Sequence, residues 1–477
     1  RLHSADHSLG ARILSIAADA DWVAAVAELA PHGTPVFANL RCGAWYAPQG
    51  APTCYFKSTD GHTGQWAFSL RRLNAHVAIE AAAAGAALIV DATRRGKPLP
   101  DALSKTVPLW AAVLNRAAGW DPAANSHAAL HTPPAIPASE AHDMAACVAP
   151  AADALAAAAD LSQLTTALAH KPLRVLWVAQ THRNLSEWPA LTHPATLPFI
   201  PIICVSASAP REELRATALT PSSLSFSTTY TFIQGAADDE ELWAPPGLNA
   251  ESFHARLPAL PNARSLDEIA TLFAAPWTRP THALDLALDT PASCADLDGL
   301  PFFKIEPTAS PLTAAAMHIA RTSDLPQELW PALEAETPGL LVVNVSDELA
   351  PGELQFANPD CDGHPPPGWL FLNVPVGKKH RYALERAIPR LLDSLAAATA
   401  HDPPLRLLFH CPDGHDRSAA AALAALVALK HGLAGVSKTT IRDTYVELTQ
   451  LFPSARVARA HMKQVNRAFT SQYDQHA

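Results

Sequence analysis

The feature that most restricts the fold is a short apolar segment, residues 86–90, followed by a polar loop from Asp91 to Lys105 and an apolar helix over 107–117. This succession is typical of α/β domains, in which loops at the carboxyl ends of buried parallel strands carry ligands. Helices are also predicted over 11–30 and 68–85, and strands at 36–40, 54–56, 173–178, 199–205 and 229–233. The first part of the chain is therefore predicted to be a Rossmann-like α/β domain.

The chain of 477 residues exceeds what one hydrophobic core ordinarily organises, so two domains, or three, are expected. Between residues 275 and 300 the composition shifts to proline, threonine, aspartate and alanine, which marks a boundary. We place an N-terminal α/β domain at 1–290 and a C-terminal α/β domain at 291–477. The C-terminal domain is predicted to contain helices at 311–320, 381–399 and 419–430, and strands at 339–345, 369–374 and 405–410.

Composition narrows the class of protein. Apolar residues make up 49% of the chain and charged residues 17%, which is typical of a globular protein. The formal charge of −10 argues against nucleic-acid binding over the whole surface, but it allows a local basic patch. Seven cysteines without a CxxC pair predict neither a disulfide framework nor structural zinc. Without a membrane-length apolar run or a signal segment, we expect a cytoplasmic protein with no membrane partner. Residues 120–150, rich in proline and alanine, are predicted to form a surface excursion.

A second strand, loop and helix carries a recognisable chemical pattern. After the strand at 405–410 come His410, Cys411, five residues and Arg417-Ser418, the Cys-x5-Arg spacing of cysteine-dependent phosphatases. A tight loop at a helix N-terminus points backbone N–H groups at one anion, and Gly414 permits the turn. Arg417 offers two phosphate oxygens a planar fork, Cys411 is expected to have a lowered pKa, and Ser418 is expected to donate to the thiolate or cap the helix.

Two observations weaken a phosphatase interpretation of this loop. A cysteine phosphatase usually needs an acidic residue on a separate loop as general acid, and Asp347 and Asp360 are the candidates. The loop itself carries Asp413 and Asp416, and its cations are Arg417 and at most His415. Carboxylates weaken a phosphate cradle unless they face outwards. Phosphate binding is therefore predicted more securely than phosphate hydrolysis.

The N-terminal domain contains a second concentration of cations in an otherwise acidic chain. It comprises Arg41, Lys57, Arg71, Arg72, Arg94, Arg95, Lys97 and Lys105. These residues suit the phosphates of a nucleotide or nucleic acid. The aromatic residues among them are candidates for stacking on bases: Trp45, Tyr46, Tyr55, Phe56 and Trp66. The alternative is a solvated face above core aromatics. A later acidic run at 238–241 either holds Mg²⁺ near a phosphate ligand or begins a helix.

Several long motifs resemble the fungal and plant initiator tRNA phosphoribosyltransferase family. They lie at 55–62, 90–97, 100–106 and 234–240, and the loop at 411–418 fits the same family. The resemblance implies a C-terminal domain similar to dual-specificity phosphatases. It also implies transfer of 5-phosphoribosyl from phosphoribosyl pyrophosphate, with Mg²⁺, to the 2′-OH of adenosine 64 in initiator methionine tRNA. That group keeps the tRNA out of elongation.

The resemblance gives each candidate residue a role, with one donor phosphate expected at the phosphatase-like loop and another at the Arg/Lys loop. Catalytic candidates are Asp416, Asp413, Cys411 and Arg417, with Asp91 and Asp60 as further candidate bases. Donor-binding candidates are His410, Gly414, His415, Ser418, Lys57, Ser58, Thr59, Asp60, His62, Asp91, Arg94, Arg95, Lys97 and Lys105. Candidate tRNA contacts are Arg41, Arg71 and Arg72, and candidate metal ligands are Asp238 and Asp239. The alternatives are a cysteine-dependent phosphatase that uses Cys411 and Arg417, and a catalytically silent tRNA-binding module. The oligomeric state is left open.

Overall fold

The protein is described from a computed structural model. The structure describes residues 8–40, 42–94, 96–208, 230–275, 303–305, 315–325, 329, 340–350, 353, 368–399, 405–433 and 435–470. The chain divides into two compact units, Arg1–Pro280 and Thr281–Ala477. The predicted boundary at 290/291 lies outside the described residues.

The N-terminal unit is built on a five-stranded parallel sheet with the order β2-β1-β3-β5-β4. Its strands are β1 (Val36–Asn39), β2 (Thr53–Cys54), β3 (Ala87–Asp91), β4 (Leu173–Ala179) and β5 (Ile200–Ser206). Every residue of β3 and β5 is buried, which explains why both strands are continuous apolar runs. The predicted parallel α/β fold is confirmed.

Helices cover this sheet: α1 (Leu9–Glu28), α2 (Ala75–Ala84), α3 (Val107–Ala117), α4 (Ala138–Ala146), α5 (Val148–Ala158), α6 (Ser162–Ala167), α7 (Pro189–Thr192), α8 (Ala250–Arg256) and α9 (Leu266–Ala274). Ser8 caps α1, since its side chain accepts a hydrogen bond from Ala11 N. A π-helical turn, Ala102–Thr106, leads into α3. It places Lys105 and Thr106 beside the loop that follows β2, as described below.

Two predictions for this unit need correction, and a third is confirmed. The helix predicted from residue 68 begins only at Ala75, because Asn74 is left-handed (φ 48°) and its side chain is hydrogen-bonded to the backbone of Tyr55. Residues 230–233 form no strand, and Ile233 N donates to Ser15 Oγ instead. The predicted surface excursion at 120–150 is confirmed, because nearly all of its residues are partly or fully exposed; it contains α4 and the start of α5.

The C-terminal unit has a second five-stranded sheet with the order β6-β7-β10-β8-β9. Its strands are β6 (Phe303–Ile305), β7 (Ala315–Arg321), β8 (Leu340–Asn344), β9 (Trp369–Phe371) and β10 (Arg406–Cys411). Only β6 is antiparallel to its neighbour among these strands, and β10 lies in the centre between β7 and β8. The loop at 411–418 therefore begins at the carboxyl end of the central strand.

The helix predicted at 311–320 is wrong. Residues 315–321 form β7, because pairing with β10 on one side and β6 on the other overrides the helical propensity of the alanines. Residues 311–314 lie outside the described part of the chain.

The helices of this unit are α10 (Ala383–Thr399), α11 (Arg417–His431), α12 (Lys438–Leu451) and α13 (Arg459–Thr470). Residues 419–427 of α11 are all fully buried, so this apolar helix forms the centre of the core. It begins two residues before the predicted start, which places Arg417 and Ser418 in its first turn. In the described part of the chain, no helix has both the length and the apolar character needed to cross a bilayer.

Candidate phosphate-binding sites

The loop after β10 turns sharply at Gly414, where φ is 68°. A Cβ at this position would lie 2.8 Å from the backbone nitrogen of Arg321, at the end of the neighbouring strand β7. No side chain fits in that space, so the glycine is needed for both its backbone conformation and its size. The turn brings the N–H groups of the following residues to the amino end of α11.

Cys411 lies at the base of the loop and is fully buried. Its Sγ is 3.0 Å from Asp413 Oδ1, 3.0 Å from Ser418 Oγ and 3.4 Å from Ser418 N. Burial raises the pKa of this thiol, and the negative charge of Asp413 raises it further. The predicted lowering of the Cys411 pKa is therefore wrong, and the residue is a thiol at neutral pH.

The carboxylate of Asp413 faces into the loop. Its Oδ1 accepts hydrogen bonds from the backbone nitrogens of His415 (3.0 Å) and Asp416 (3.2 Å), in addition to the Cys411 thiol. Burial alone would raise the pKa of Asp413, but these hydrogen bonds outweigh it and lower that pKa. An ionised carboxylate thus engages N–H groups that were predicted to be available to phosphate.

Arg417 is buried, with 5% of its surface exposed. Its Nη1 donates to Asp347 Oδ1 at 2.8 Å and to the carbonyl oxygen of Val374 at 2.7 Å. Its Nε is buried and has no hydrogen-bond partner within the described part of the protein. The hydrogen bond from Arg417 lowers the pKa of Asp347, so this residue is ionised and not poised as a general acid. The other candidate acid, Asp360, lies outside the described residues.

His410 is completely buried beneath the loop. Its Nε2 lies 3.1 Å from Glu353 Oε1, and its Nδ1 lies 3.0 Å from Thr322 Oγ1. Burial alone would raise the pKa of Glu353, but hydrogen bonds from His410 and Trp369 outweigh it and lower that pKa. His410 therefore anchors the start of the loop to neighbouring strands and presents no surface to a ligand. No local sequence signal indicated Glu353, since the contact spans 57 residues.

The outer side of the loop is attached to the segment before α13. Asp416 Oδ1 accepts hydrogen bonds from Ala458 N (2.8 Å) and from His461 Nδ1 (2.9 Å), and Arg456 N donates to the carbonyl of His415. Burial, and then the charge of Arg456, lower the pKa of His415, so it adds no positive charge at neutral pH. Sequence reasoning missed His461, which shows no motif.

In the N-terminal unit, the order of the sheet reverses between β1 and β3, and ligand crevices form at such a switch point. Asp91, at the end of β3, accepts hydrogen bonds from Asn39 Nδ2 (2.8 Å) and the thiol of Cys42 (3.1 Å). Asn39 Oδ1 in turn accepts one from Phe56 N, after β2. Asp91 is fully buried, and these hydrogen bonds connect the beginnings of the loops that follow β1, β2 and β3.

The structure brings two predicted motifs together beside this edge. The turn Ser58–Gly61 packs on the π-helical turn Ala102–Thr106, and Thr106 Oγ1 donates to the carbonyl of Lys57 at 3.1 Å. A Cβ at Gly61 would lie 2.8 Å from Thr106 Oγ1. Ser58 is partly exposed, whereas Thr59 and His62 are exposed.

A third motif clamps the loop after β3. Gln234 accepts a hydrogen bond from Gly96 N (2.7 Å) and donates one to the carbonyl of Lys97 (2.9 Å). A Cβ at Gly235 would lie 2.5 Å from the carbonyl oxygen of Thr93, so only glycine permits this approach. Arg12 of α1, which sequence reasoning missed, donates to the carbonyl of Ala236 in the same segment.

Four of the six predicted phosphate-binding cations that the structure describes are paired with carboxylates of the chain. The pairs are Arg72 with Asp60 (2.6 Å), Arg94 with Asp238 (3.1 Å) and Asp239 (2.6 Å), Lys97 with Asp101 (3.4 Å) and Lys105 with Glu140 (2.6 Å). Lys57 and Arg71 are exposed and make no ion pair with the residues described. Arg41 and Arg95 lie outside the described part of the chain. The basic patch is therefore largely charge-compensated.

Three of the five aromatic residues are core residues, so their predicted stacking on bases is wrong. Trp45, Tyr46 and Phe56 are each at most 2% exposed. Tyr55 and Trp66 are partly exposed, and the guanidinium of Arg72 lies 5.2 Å from the ring centre of Tyr55. Within the described residues, no group of three or more His, Cys, Asp or Glu side chains is arranged to hold a metal ion.

Fold and loop together define a class: a protein of two α/β units whose second unit carries a Cys-x5-Arg loop after its central strand. Residues 2–272 match the model of the Rit1 N-terminal domain, and residues 369–469 match that of the Rit1 DUSP-like domain. The chain belongs to the Rit1 family.

Two relatives and two solved structures are similar to this chain. A Schizosaccharomyces pombe protein described as uncharacterized is 30% identical over 95% of this chain and 92% of its own. The Saccharomyces cerevisiae tRNA A64-2′-O-ribosylphosphate transferase is 36% identical over 51% of this chain and 49% of its own. Human DUSP28 (19% identity, TM-score 0.22) matches over 35% of this chain and 99% of its own. The Yvh1 phosphatase domain from Chaetomium thermophilum (14% identity, TM-score 0.21) matches over 35% and 95%.

Proposed function

We propose that this protein transfers 5-phosphoribosyl from phosphoribosyl pyrophosphate to the 2′-OH of adenosine 64 in initiator methionine tRNA. Membership of the Rit1 family and the name of the S. cerevisiae relative support the tRNA position and the transferred group. We propose in addition that the donor is phosphoribosyl pyrophosphate and that the acceptor is an initiator tRNA. A cytoplasmic location, where initiator tRNA is used, stays a prediction.

The observation that carries donor binding is the Nε of Arg417. This buried N–H group lacks an acceptor within the described part of the protein, although Nη1 of the same guanidinium is fully engaged. A buried donor without a partner is costly, so the site favours a ligand that supplies an acceptor oxygen. At the amino end of a helix that ligand is an anion. We therefore assign one phosphate of the donor to the loop at 411–418.

The reaction is a substitution at C1′ of the donor. The 2′-oxygen of the tRNA forms a bond to C1′, the bond between C1′ and the pyrophosphate oxygen breaks, and pyrophosphate leaves with the bonding electrons. The proton of the 2′-OH passes to a base. Cations that stabilise the leaving pyrophosphate supply most of the catalysis in a reaction of this type.

Mg²⁺ is expected to accompany the pyrophosphate and to withdraw charge from it when bound. Proteins commonly hold this ion through one or two carboxylates plus phosphate oxygens of the substrate. Asp238 and Asp239 suit that role in residue type, but both accept the guanidinium of Arg94. They would hold the ion if Arg94 bound a phosphate of the donor instead of these two carboxylates.

For the base, Asp413 and Asp416 stay candidates, and the structure adds His461. Asp416 receives the Nδ1 proton of His461, which leaves Nε2 of a neutral imidazole as an acceptor. A carboxylate that orients an imidazole in this way is a common arrangement for a general base near neutral pH. The tautomer follows from the acceptor at Nδ1.

Exposed cations of the N-terminal unit are assigned to the tRNA. Lys57 and Arg71 make no ion pair within the described residues, so they are available to backbone phosphates without first losing a partner. Tyr55 lies two residues before Lys57 and is partly exposed, and the guanidinium of Arg72 lies 5.2 Å from its ring centre.

The protonation states of Cys411 and Asp347 disfavour the phosphatase alternative. Burial and the charge of Asp413 raise the pKa of Cys411, whereas a phosphatase nucleophile is a thiolate. Asp347 has a lowered pKa because Arg417 donates to it, whereas a general acid must carry a proton.

The test is incubation of the full chain with initiator tRNA and phosphoribosyl pyrophosphate labelled in its ribose. We expect label in the tRNA, lost when adenosine 64 carries a 2′-deoxyribose and absent with an elongator tRNA. Cys411→Ser is expected to retain transfer within about threefold, since the thiol has no chemical step. Folded protein that incorporates no label would refute the proposal. Release of phosphate from p-nitrophenyl phosphate that Cys411→Ser abolishes would favour the phosphatase.

A further inference from the structure

The phosphate loop contains an anion of its own. Asp413 Oδ1 is within hydrogen-bond distance of three donors: the thiol of Cys411 and the backbone nitrogens of His415 and Asp416. All three belong to the loop between β10 and α11. Backbone N–H groups at such a helix start are the donors that would otherwise converge on a phosphate.

Other acids around the loop engage different donors. Asp347 accepts Nη1 of Arg417, and Asp416 accepts Ala458 N and His461, away from the N–H groups of the loop. Asp413 is thus the carboxylate, among the residues described, that takes the backbone donors directly. About 40% of its side chain is exposed, so it has solvent on one side and room to rotate.

We propose that Asp413 is an internal mimic of the donor phosphate that occupies the loop until a phosphate displaces it, and so determines which anions the loop admits. The inference deepens the proposed function, because it rests on the loop as the site of one donor phosphate. When a phosphate displaces Asp413, His415 N and Asp416 N donate their hydrogen bonds to a phosphate oxygen instead of to the carboxylate. The carboxylate then rotates into water.

This exchange has two consequences for function. A weakly bound anion such as free inorganic phosphate must compete with a carboxylate already in place, whereas a donor held by further contacts displaces it readily. The same carboxylate keeps the Cys411 proton hydrogen-bonded, so the loop holds a thiol and binds phosphate without attacking it. One residue then accounts for both anion selectivity and the absence of a thiolate.

The experiment measures binding of inorganic phosphate to the full chain by calorimetry. We compare the wild type, Asp413→Ala, Asp413→Asn and Asp393→Ala, the last being an exposed acid on α10 that controls for net charge. Asp413→Ala is expected to bind phosphate at least about tenfold more tightly, because one nearby negative charge is gone. Asp393→Ala is expected to match the wild type.

A second readout needs no phosphate. Iodoacetamide should alkylate Cys411 faster in Asp413→Ala and Asp413→Asn than in the wild type, as followed by peptide mass spectrometry at fixed pH. Asp413→Asn, which keeps the shape of the side chain, replaces the alanine variant if that variant fails to fold.

Two results would overturn the inference. In the first, both Asp413 variants bind phosphate as the wild type does or more weakly, while Arg417→Ala abolishes binding. The loop would then remain a phosphate site, but Asp413 would not control which anions it binds. Unchanged alkylation of Cys411 in both variants removes its control of the thiol. If neither the wild type nor any Asp413 variant binds phosphate, the inference and the assignment of the loop both fail. Transfer of label to tRNA tests the proposed reaction separately.

Discussion

The loops after β3 and after β10 compensate their charges in different ways. Both follow an inner parallel strand of a five-stranded sheet, and both were predicted to bind phosphate. After β3 the donors are long side chains; the carboxylate partner of Arg94 lies far away in sequence, at Asp238, whereas that of Lys97 is Asp101 in the same loop. After β10 the donors include backbone N–H groups, and the carboxylate, Asp413, belongs to the loop itself. Hence salt bridges between side chains compensate the first loop, whereas hydrogen bonds from backbone N–H groups to one carboxylate compensate the second.

The comparison predicts that the C-terminal loop contributes most to binding the donor and the N-terminal cations most to binding tRNA. Four sets of substitutions, given in order of decreasing expected effect, test this division of roles.

The largest effect is expected from Arg417→Ala. It removes the buried guanidinium whose Nε has no acceptor among the described residues, so kcat/KM for phosphoribosyl pyrophosphate should fall on the order of a thousandfold. Steady-state kinetics with saturating tRNA measure this, and Arg390→Ala, an exposed arginine on α10, serves as the control. A loss of tRNA affinity with an unchanged KM for the donor would reverse the division between the two regions.

Next comes His461→Asn, in which the amide nitrogen can still donate to Asp416 but no acceptor replaces Nε2. We expect kcat to fall about a hundredfold, because the variant has no ring nitrogen to accept the proton of the 2′-OH. Donor binding should be preserved. A variant that keeps the wild-type kcat would show that His461 is not the base.

Glu353→Gln tests how the C-terminal loop is anchored. The carboxylate accepts hydrogen bonds from His410 and Trp369 in the core, so its loss should cost about 2 kcal/mol of stability at pH 7. Because folding lowers the pKa of Glu353, its contribution is present above the unfolded pKa of about 4.3 and is lost as the pH falls through the folded value. Urea denaturation at pH 7 and pH 3.5 should therefore show a smaller difference between variant and wild type at low pH. The exposed Glu348→Gln provides the control, and an equal difference at both pH values would contradict the argument.

The smallest effect is expected at the N-terminal surface. Lys57→Ala combined with Arg71→Ala should weaken tRNA binding several-fold and reduce the slope of log K against log salt concentration by about 1.4, because two phosphate contacts are lost. Filter binding at several salt concentrations measures both quantities. An unchanged slope would show that these exposed cations do not contact the tRNA backbone.

The sequence predicted the elements that build both edges. Continuous apolar runs indicated β3 and β10, and the polar loops and apolar helices after them followed from the same pattern. Residues 315–321 were misjudged because alanine favours a helix locally, while β7 is stabilised by pairing with strands distant in sequence. Trp45 and Tyr46 were misjudged because a sequence does not reveal which face of a loop is buried.

The amino-acid sequence by itself determined the α/β architecture, the spacing of Cys411 and Arg417, and the glycine at 414, since each depends on local conformation and hydrophobic pattern. Only the tertiary structure shows that Arg417 meets Asp347, that Nε of Arg417 has no partner among the described residues, and that Cys411 remains a thiol. These properties depend on the positions of charges and on burial, and both are set by contacts between residues far apart in the chain.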